Sequence, residues 1–382
     1  MRVLFCSFSN SANLLPLIPL AWAVRAAGHD VLLATAGGGV PVAAATGLPV
    51  AKVADDEELL AAHKKVLAAA GQREFDQMVS DAIQADDVHL AIVITAVSCA
   101  ATVDGTVAVA EQWRPDLLVY DGLQQAAPLV AGKLGIPVVA HGFGLISDQV
   151  VAGIVRDTLQ DAYQRHGATY PTRCERIDIL PQSLQGDGLD GWPVRYMSYH
   201  GGGVLPEWVL RRPARPRIAV TMGTTVEDDG KRRWLRGVLA AAGELDAEFV
   251  CALGETSTPL PDNAFSVGWV PMNELLAHCD AVVHHGGSGS TLAALAAGIP
   301  QLIVPVGPAY SAHAVPVAQR GTAMVRELAE VDQECLRRLL EDTAMRTAAG
   351  EVAAEMYAMP APASIVPELE RLVTTGGGRT LG

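Results

Sequence analysis

The turn at residues 284–290 combines residue types that bind an anionic ligand. It follows a short apolar strand, opens a helix rich in alanine and leucine, and consists of His284, His285, Gly286, Gly287, Ser288, Gly289 and Ser290. The first N–H groups of a helix lack intrahelical acceptors and lie at its positive end, so they attract an anion. Gly-rich turns also serve as plain connections in α/β proteins. Because two histidines and two serines add four hydrogen-bonding side chains, we expect a phosphorylated ligand here.

The composition limits the classes of protein and partner. The chain has 382 residues, which is enough for two domains with full cores, and 50% hydrophobic residues exclude a disordered chain. A net charge of −14 argues against a nucleic-acid partner. The most apolar stretch, residues 88–103, is too short to span a bilayer, so we expect a buried helix and no membrane partner.

The cysteines indicate neither a metal site nor a disulfide framework. No CxxC pair occurs, and no Cys/His cluster has zinc spacing, among Cys6, Cys99, Cys174, Cys251, Cys279 and Cys335. We therefore expect reduced thiols and no bound metal. The apolar run after Met1 and Arg2 is too short for a signal peptide and is typical of a first strand, so we expect a cytoplasmic protein.

Both halves of the chain alternate short apolar strands with helices. This alternation predicts an α/β fold with two doubly wound parallel sheets, each covered on both faces. The Gly- and Pro-rich residues 179–215 are typical of a linker, and we place the domains at residues 1–205 and 206–382. Ligands of such sheets bind at the carboxyl ends of the strands, so we expect a cleft between two Rossmann-like domains.

Several segments together resemble a known family. The opening strand, the strand in residues 114–122, the GWVP segment at residues 268–271, the HHGGSGST motif and the closing MPAP segment at residues 359–362 are similar to GT-B glycosyltransferases of family 1. Within this family, the chain most resembles the bacterial transferases that attach deoxysugars to antibiotics. It implies that the N-terminal domain binds the acceptor, that the C-terminal domain binds a nucleotide sugar, and that the last helix crosses back to the N-terminal domain.

The resemblance also implies a donor site. Trp269 corresponds to the platform for the nucleotide base, the backbone near Val270 reads the base edge, and His285 binds the donor diphosphate. Further phosphate contacts are implied for Gly286, Gly287, Ser288, Gly289, Ser290, Gly223 and Thr224. A core role for Trp269 and a helix-cap role for Ser290 are the plain structural alternatives. The donor would be a dTDP-sugar and no metal or other cofactor is implied, because the helix start and His285 offset the diphosphate charge.

Two positions depart from the family pattern. Most O-glycosyltransferases of the family have a catalytic histidine after the first strand, where this chain has Asn13 in a loop that also contains Ser11. An amide orients an acceptor but is not a general base near neutral pH. The family also has an Asp-Gln pair that bonds sugar hydroxyls, where this chain has Pro308, Ala309 and Tyr310.

Three explanations of these departures are open. The first is that the chain is a catalytically silent homologue that stabilises a partner enzyme. The second is an O-glycosyltransferase with a relocated base, and the third is a C-glycosyltransferase of an aromatic polyketide. We favour the third, because aromatic-polyketide C-glycosyltransferases resemble this chain in lacking both features. A phenol, with a pKa of about 10, needs less help to ionise than water at roughly 15.7. A dideoxy sugar also has fewer hydroxyls to bond.

Four residues are the candidates for a catalytic role: Asp148, Asn13, Ser11 and His141. Asp148 follows the strand that ends at His141, in a loop expected to overhang the cleft, and a helix cap is its alternative role. His141 and Asp121, both at strand ends, are further candidates for a base, with purely structural roles as alternatives. We expect the aromatic acceptor near Asn13, Phe143 and the helix at residues 88–103. The sequence leaves a homodimer open.

Overall fold

The N-terminal half of the chain is built on a parallel sheet. A computed structural model describes residues 1–70, 88–145, 149–172, 174–185, 191–209, 211, 213–223, 228–243, 245–252, 258–306 and 308–375. Its strands in this half are β1 (Arg2–Cys6), β2 (Asp30–Thr35), β3 (Val50–Lys52), β4 (Leu117–Asp121), β5 (Val138–His141), β6 (Cys174–Asp178) and β7 (Trp192–Pro193). They pair in the order β3-β2-β1-β4-β5-β6-β7, and all pairs are parallel.

Helices cover both faces of this sheet, which explains why β4 and β5 are buried along their whole length. The helices are α1 (Ser11–Leu14), α2 (Ile18–Ala26), α3 (Gly39–Ala44), α4 (Asp56–Ala70), α5 (Val88–Trp113), α6 (Ala126–Leu134), α7 (Gln149–Thr158) and α8 (Gln160–His166). The predicted buried helix at residues 88–103 is the first part of α5, which packs against α4, α6 and α7. Gly135 ends α6 at a φ of 67°, a left-handed conformation that glycine adopts without strain.

The C-terminal half repeats the same winding. Its strands are β8 (Arg217–Thr221), β9 (Glu248–Ala252), β10 (Ala264–Val267), β11 (Ala281–His284), β12 (Gln301–Ile303) and β13 (Ala323–Val325), paired in parallel in the order β10-β9-β8-β11-β12-β13. The strand order reverses between β1 and β4 in the first sheet and between β8 and β11 in the second. Such open sheets bind ligands at the carboxyl ends of the strands at this reversal, so the two reversals define where a site is expected.

The helices of the second half are α9 (Asp228–Ala240), α10 (Met272–Leu276), α11 (Ser288–Ala297), α12 (Pro308–Gln319), α13 (Gln333–Glu341), α14 (Thr343–Ala358) and α15 (Val366–Thr375). The last helix packs on the N-terminal half: Leu369 and Leu372 belong to the apolar cluster that contains Val3 and Phe5. The backbone N–H of Arg195 also donates to the carbonyl of Pro360 at 2.8 Å. The final segment therefore ties the second half to the first sheet.

The predicted fold class is confirmed: the chain is α/β with two Rossmann-like parallel sheets. One expectation was partly wrong, because residues 179–215, predicted as a linker, include β7 and a 3₁₀ turn at Gln182–Leu184. All six cysteines are unpaired and buried. Across the described parts of the chain, none of the helices has the length and apolar character needed to cross a membrane.

Candidate functional site

The imidazole of His285 lies in a narrow space just after β11. A Cβ at Gly287 would lie 2.7 Å from His285 Nε2, and a Cβ at Gly223 would lie 3.0 Å from His285 Cε1. The ring of Tyr310 packs against the imidazole with centroids 5.0 Å apart and planes tilted by 58°. The side chain is thus held from several directions, and only glycine at residues 223 and 287 leaves room for it.

The neighbouring histidine has a structural role. His284 is fully buried, and its Nδ1 accepts a hydrogen bond from the N–H of Gly286 at 3.1 Å. The Nε2–H therefore faces Gln301 Oε1, which lies 2.9 Å away. Burial lowers the pKa of His284 to about 4, so the ring is neutral at pH 7. The hydrogen bond from the Gly286 N–H to His284 Nδ1 stabilises Gly286 at a φ of 92°. The backbone bends at this glycine, between the strand and the helix.

The start of α11 offers backbone donors to a ligand. Its N-cap is Gly287, in an extended conformation and without a side-chain hydrogen bond. The first amides of the helix belong to Ser288, Gly289 and Ser290, and the prediction that these residues adjoin a helix start agrees with the geometry. The alternative that Ser290 is the helix cap is wrong, because it is the third residue of the helix. An uncapped helix start of this kind attracts an anion.

Trp269 lies in the loop between β10 and α10. Its side chain is 61% exposed, so the alternative that it is a core tryptophan is wrong. Its Cδ1 lies 3.6 Å from the position of a Cβ at Gly203, a residue of the segment that joins the two sheets. The next residue, Val270, is buried in the apolar cluster with Val267 and Leu275. The buried valine anchors a loop that presents the flat indole to solvent, as a base-stacking surface requires.

Asn13 and Asp121 meet at the strand reversal of the first sheet. Asn13 Nδ2 donates to Asp121 Oδ1 at 3.0 Å, and the backbone N–H groups of Phe8 and Leu123 donate to the same carboxylate at 2.6 and 3.1 Å. Asp121 is fully buried. Burial raises its pKa to about 6, against the opposing effect of the hydrogen bonds, so the carboxylate is ionised at pH 7.

His141 ends β5, beside Asp121 in the register of β4 and β5. Its Nδ1 lies 2.6 Å from the carbonyl oxygen of Gly142, and burial lowers its pKa to about 4. The ring is therefore a buried, neutral group bonded to its own chain. Ser11 is the first residue of α1, half-buried, two residues before Asn13 in the same short helix.

The loop after β5 reaches across to the start of α11. Ser288 Oγ donates to the carbonyl of Phe143 at 3.5 Å, and a Cβ at Gly144 would lie 3.3 Å from Ser288 Cβ. The carboxyl end of β5 in the first sheet therefore lies close to the start of α11 in the second half.

Two predicted site residues, Asp148 and Thr224, lie outside the described residues. Tyr310 was noted in the sequence only as part of the segment without the Asp-Gln pair, and the packing of its ring on His285 was not predicted. The available signal was its position just after β12, which neighbours β11. Within the described ranges, no group of three or more His, Cys, Asp or Glu side chains is arranged to hold a metal ion.

Most of the chain is similar to a known protein family. Residues 22–223 match the N-terminal domain and residues 236–372 the C-terminal domain of the family described as "Erythromycin biosynthesis protein CIII-like". Elloramycin glycosyltransferase ElmGT of Streptomyces olivaceus is 37% identical over 99% of this chain and 100% of its own length.

Solved structures show the same architecture. The glycosyltransferase SnogD from Streptomyces nogalater superimposes with a TM-score of 0.83 at 34% identity, covering 98% of this chain and 99% of its own. The Streptomyces sp. SF2575 glycosyltransferase SsfS6, solved with thymidine diphosphate, gives a TM-score of 0.80 at 28% identity over 97% of this chain and 99% of its own. This chain therefore belongs to the family-1 glycosyltransferases of antibiotic biosynthesis, with the two-domain GT-B fold.

Proposed function

We propose that the chain transfers a deoxysugar from a dTDP-sugar to a ring carbon of an aromatic polyketide. The observation that supports this most is the position of the His285 side chain, which lies between Gly223 and Gly287 and beside the uncapped start of α11. We assign the acceptor to residues 1–205 and the donor to residues 206–382. The thymidine diphosphate bound to SsfS6 supports a thymidine nucleotide as the donor group.

In the donor half, the diphosphate accepts hydrogen bonds from His285 and from the first amides of α11. These groups stabilise the negative charge that grows on the leaving diphosphate. Trp269 stacks on the thymine base, and the backbone at Val270 bonds its edge. Because the helix start and the histidine supply the positive potential, the proposal needs no metal ion.

In the acceptor half, the ionised Asp121 fixes the amide of Asn13. Because Nδ2 of Asn13 faces the carboxylate, Oδ1 of the same amide faces away from it and accepts a hydrogen bond from a phenol of the acceptor. The phenol donates electron density to its ring carbon, which attacks the anomeric carbon from the face opposite the diphosphate. The C–O bond to the diphosphate breaks and its electron pair leaves with the diphosphate. The attacking carbon then loses its proton to solvent water, and the ring regains aromaticity.

The chemistry of the acceptor supports a site without a histidine base. Asn13 is not a base, and the Asp121 carboxylate has no exposed surface, so it acts through Asn13. A phenol with a pKa of about 10 needs only modest help to ionise near neutral pH. The sequence of α12 also lacks the Asp-Gln pair that would bond sugar hydroxyls, which suits a donor with fewer of them.

The experiment incubates the protein with dTDP-2,6-dideoxyglucose and a polyphenolic polyketide. We expect a product heavier than the acceptor by one sugar residue, and this sugar should resist acid hydrolysis. In the NMR spectrum, the anomeric proton should show a coupling to carbons of the aromatic ring. An acid-labile sugar would show O-transfer. Failure to bind thymidine diphosphate would contradict the glycosyltransferase proposal and favour a silent partner protein.

O-transfer to a phenolic hydroxyl is the second candidate. The contact that favours it is the same one, because an Asn13 amide fixed by Asp121 orients a phenol oxygen as well as the ring carbon beside it. The two candidates differ only in the atom that attacks the anomeric carbon. The acid stability of the product therefore distinguishes them.

A further inference from the structure

His313 lies on α12 where the two halves of the chain meet. A Cβ placed at Gly144, in the loop after β5, would lie 3.4 Å from His313 Cε1 and 3.5 Å from Ser288 Oγ. The imidazole of His313 and the side chain of Ser288, the first residue of α11, therefore both lie close to Gly144 of the N-terminal half. His313 was not among the residues singled out in the sequence, because it lies inside a helix with no recognisable motif around it.

The Nδ1 atom of His313 is buried and has no hydrogen-bond partner among the described residues. Leaving a buried polar nitrogen unpaired costs about 1–3 kcal/mol, so such atoms are rare in native proteins and call for a reason. Cε1, which is bonded to Nδ1, is the ring atom that faces Gly144. Because Cε1 lies between the two ring nitrogens, Nδ1 and Nε2 both lie near the contact between the two halves, and Nδ1 is the unpaired one.

The surroundings of the ring keep it uncharged. Burial lowers the pKa of His313 to about 4, so at pH 7 the imidazole has one N–H donor and one nitrogen acceptor. A neutral imidazole bonds a hydroxyl group well, and it is less suited to an ionic contact with a phosphate. The ligand expected beside it is therefore a neutral, hydroxylated group.

The position relative to the proposed donor identifies that group. Ser288 opens α11, where the diphosphate is proposed to lie, and His313 is on the next helix of the same half, bordering the same Gly144. The group joined to the diphosphate on the side of the N-terminal half is the transferred sugar.

We propose that His313 Nδ1 hydrogen-bonds a hydroxyl of the transferred sugar and so orients its anomeric carbon toward the acceptor. This inference rests on the proposed function. It assigns to His313 a part of the sugar contact that Pro308 and Ala309 lack the side chains to make. His313 is then a specificity-determining residue on the donor side of the site.

The test compares three substitutions of His313. Asn places a polar atom where Nδ1 lies, Gln places one where Nε2 lies, and Leu removes both. Binding of thymidine diphosphate and of dTDP-2,6-dideoxyglucose is measured by calorimetry for each protein. Wild type should bind the sugar-bearing nucleotide more tightly than thymidine diphosphate.

We expect His313→Leu and His313→Gln to bind thymidine diphosphate as wild type does and to bind the dTDP-sugar about 3- to 10-fold more weakly, the loss of one neutral hydrogen bond. His313→Asn should keep most of the wild-type affinity for the sugar. Since Leu removes an unpaired buried polar atom, its Tm should equal or exceed that of wild type. His29→Asn is the matched histidine control, because His29 directly precedes β2, away from the carboxyl ends of the strands.

Other outcomes separate the two claims. If wild type does not bind thymidine diphosphate, the proposed function fails together with this inference. If wild type binds thymidine diphosphate but all three variants match it for the sugar donor, only the role of His313 is wrong. A His313→Leu protein with a lower Tm and equally weak binding of both nucleotides would show a structural role instead. A change confined to the KM of the acceptor would place His313 on the acceptor and overturn the proposal.

Discussion

Asn13 donates its side-chain N–H to the buried carboxylate of Asp121 at 3.0 Å, across 108 residues of sequence. The bond joins the short helix after β1 to the end of β4, the two strands between which the order of the first sheet reverses. Because the carboxylate also accepts from two backbone N–H groups, its charge is stabilised in a buried place. The amide is consequently held in one orientation, which is what an acceptor-orienting residue needs.

Asn13→Asp places two carboxylates within hydrogen-bond distance in a buried site. Like charges this close do not both ionise at low cost, so the variant should lose about 2 kcal/mol or more of stability at pH 8 and recover part of it at pH 5. Urea unfolding at the two pH values measures this. Gln319→Glu, at an exposed position at the end of α12, is the control and should show no such recovery at pH 5. An Asn13→Asp protein as stable as wild type at pH 8 would contradict the contact.

The raised pKa of Asp121 gives a pH dependence of stability. Its folded pKa of about 6 exceeds the usual value of an unfolded aspartate, about 3.9. The folded state therefore binds the proton more tightly, and the stability contributed by the protonated group is present at pH 4 and lost as the pH rises to about 6. Relative to Asp121→Asn, wild type should lose about 2 kcal/mol between these pH values. Unfolding curves of both proteins test this, and parallel pH dependence would contradict it.

Gly287→Ala should impair nucleotide binding through His285. The new Cβ would lie 2.7 Å from His285 Nε2, a distance that forces the imidazole out of its place. We expect thymidine diphosphate to bind at least about tenfold more weakly, the loss of a hydrogen bond to a charged group. The control is Gly350→Ala in α14, where a Cβ meets nothing within 4 Å. It should bind normally and unfold at the same or a higher temperature, since alanine favours helices.

Trp269→Ala should weaken the binding of thymidine diphosphate by about 1–3 kcal/mol, as expected for loss of base stacking. Trp269→Phe should retain much of the affinity, because an aromatic face remains. Since the indole is largely exposed, neither change should lower the Tm appreciably. Trp22→Ala, another partly exposed tryptophan on α2, controls for tryptophan removal. Equal affinity in wild type and Trp269→Ala would show that the base binds elsewhere.

The alternation of apolar strands and helices was sufficient to predict the two sheets, but it missed the strands with weak patterns. β6 has the sequence CERID, in which charged residues interrupt the apolar run, and β7 is only two residues long within a Gly- and Pro-rich segment. β6 extends the sheet beyond β5, and β7 forms its edge, so tertiary pairing rather than local pattern determines both strands.

The site was predictable where residues are adjacent in sequence or end neighbouring strands. The turn at His285 and the start of α11 are one continuous segment, and Gly223 follows β8, which pairs with β11. Contacts that depend on side-chain packing were not predictable. One example is the packing of the Tyr310 ring on His285. Another is the approach of Gly144 to Ser288 and His313. These residues are far apart in the sequence, and no sequence pattern indicates that they lie close together.

The most direct test of the central claim is calorimetric titration of thymidine diphosphate into wild type and His285→Ala, with EDTA present. We expect that wild type binds without added metal and that His285→Ala binds at least about tenfold more weakly, since a hydrogen bond to a charged group is worth about 1.5–3 kcal/mol. His29→Asn should bind as wild type does. Equal affinity of wild type and His285→Ala, or no binding by wild type, would contradict the assignment of the donor diphosphate to this turn.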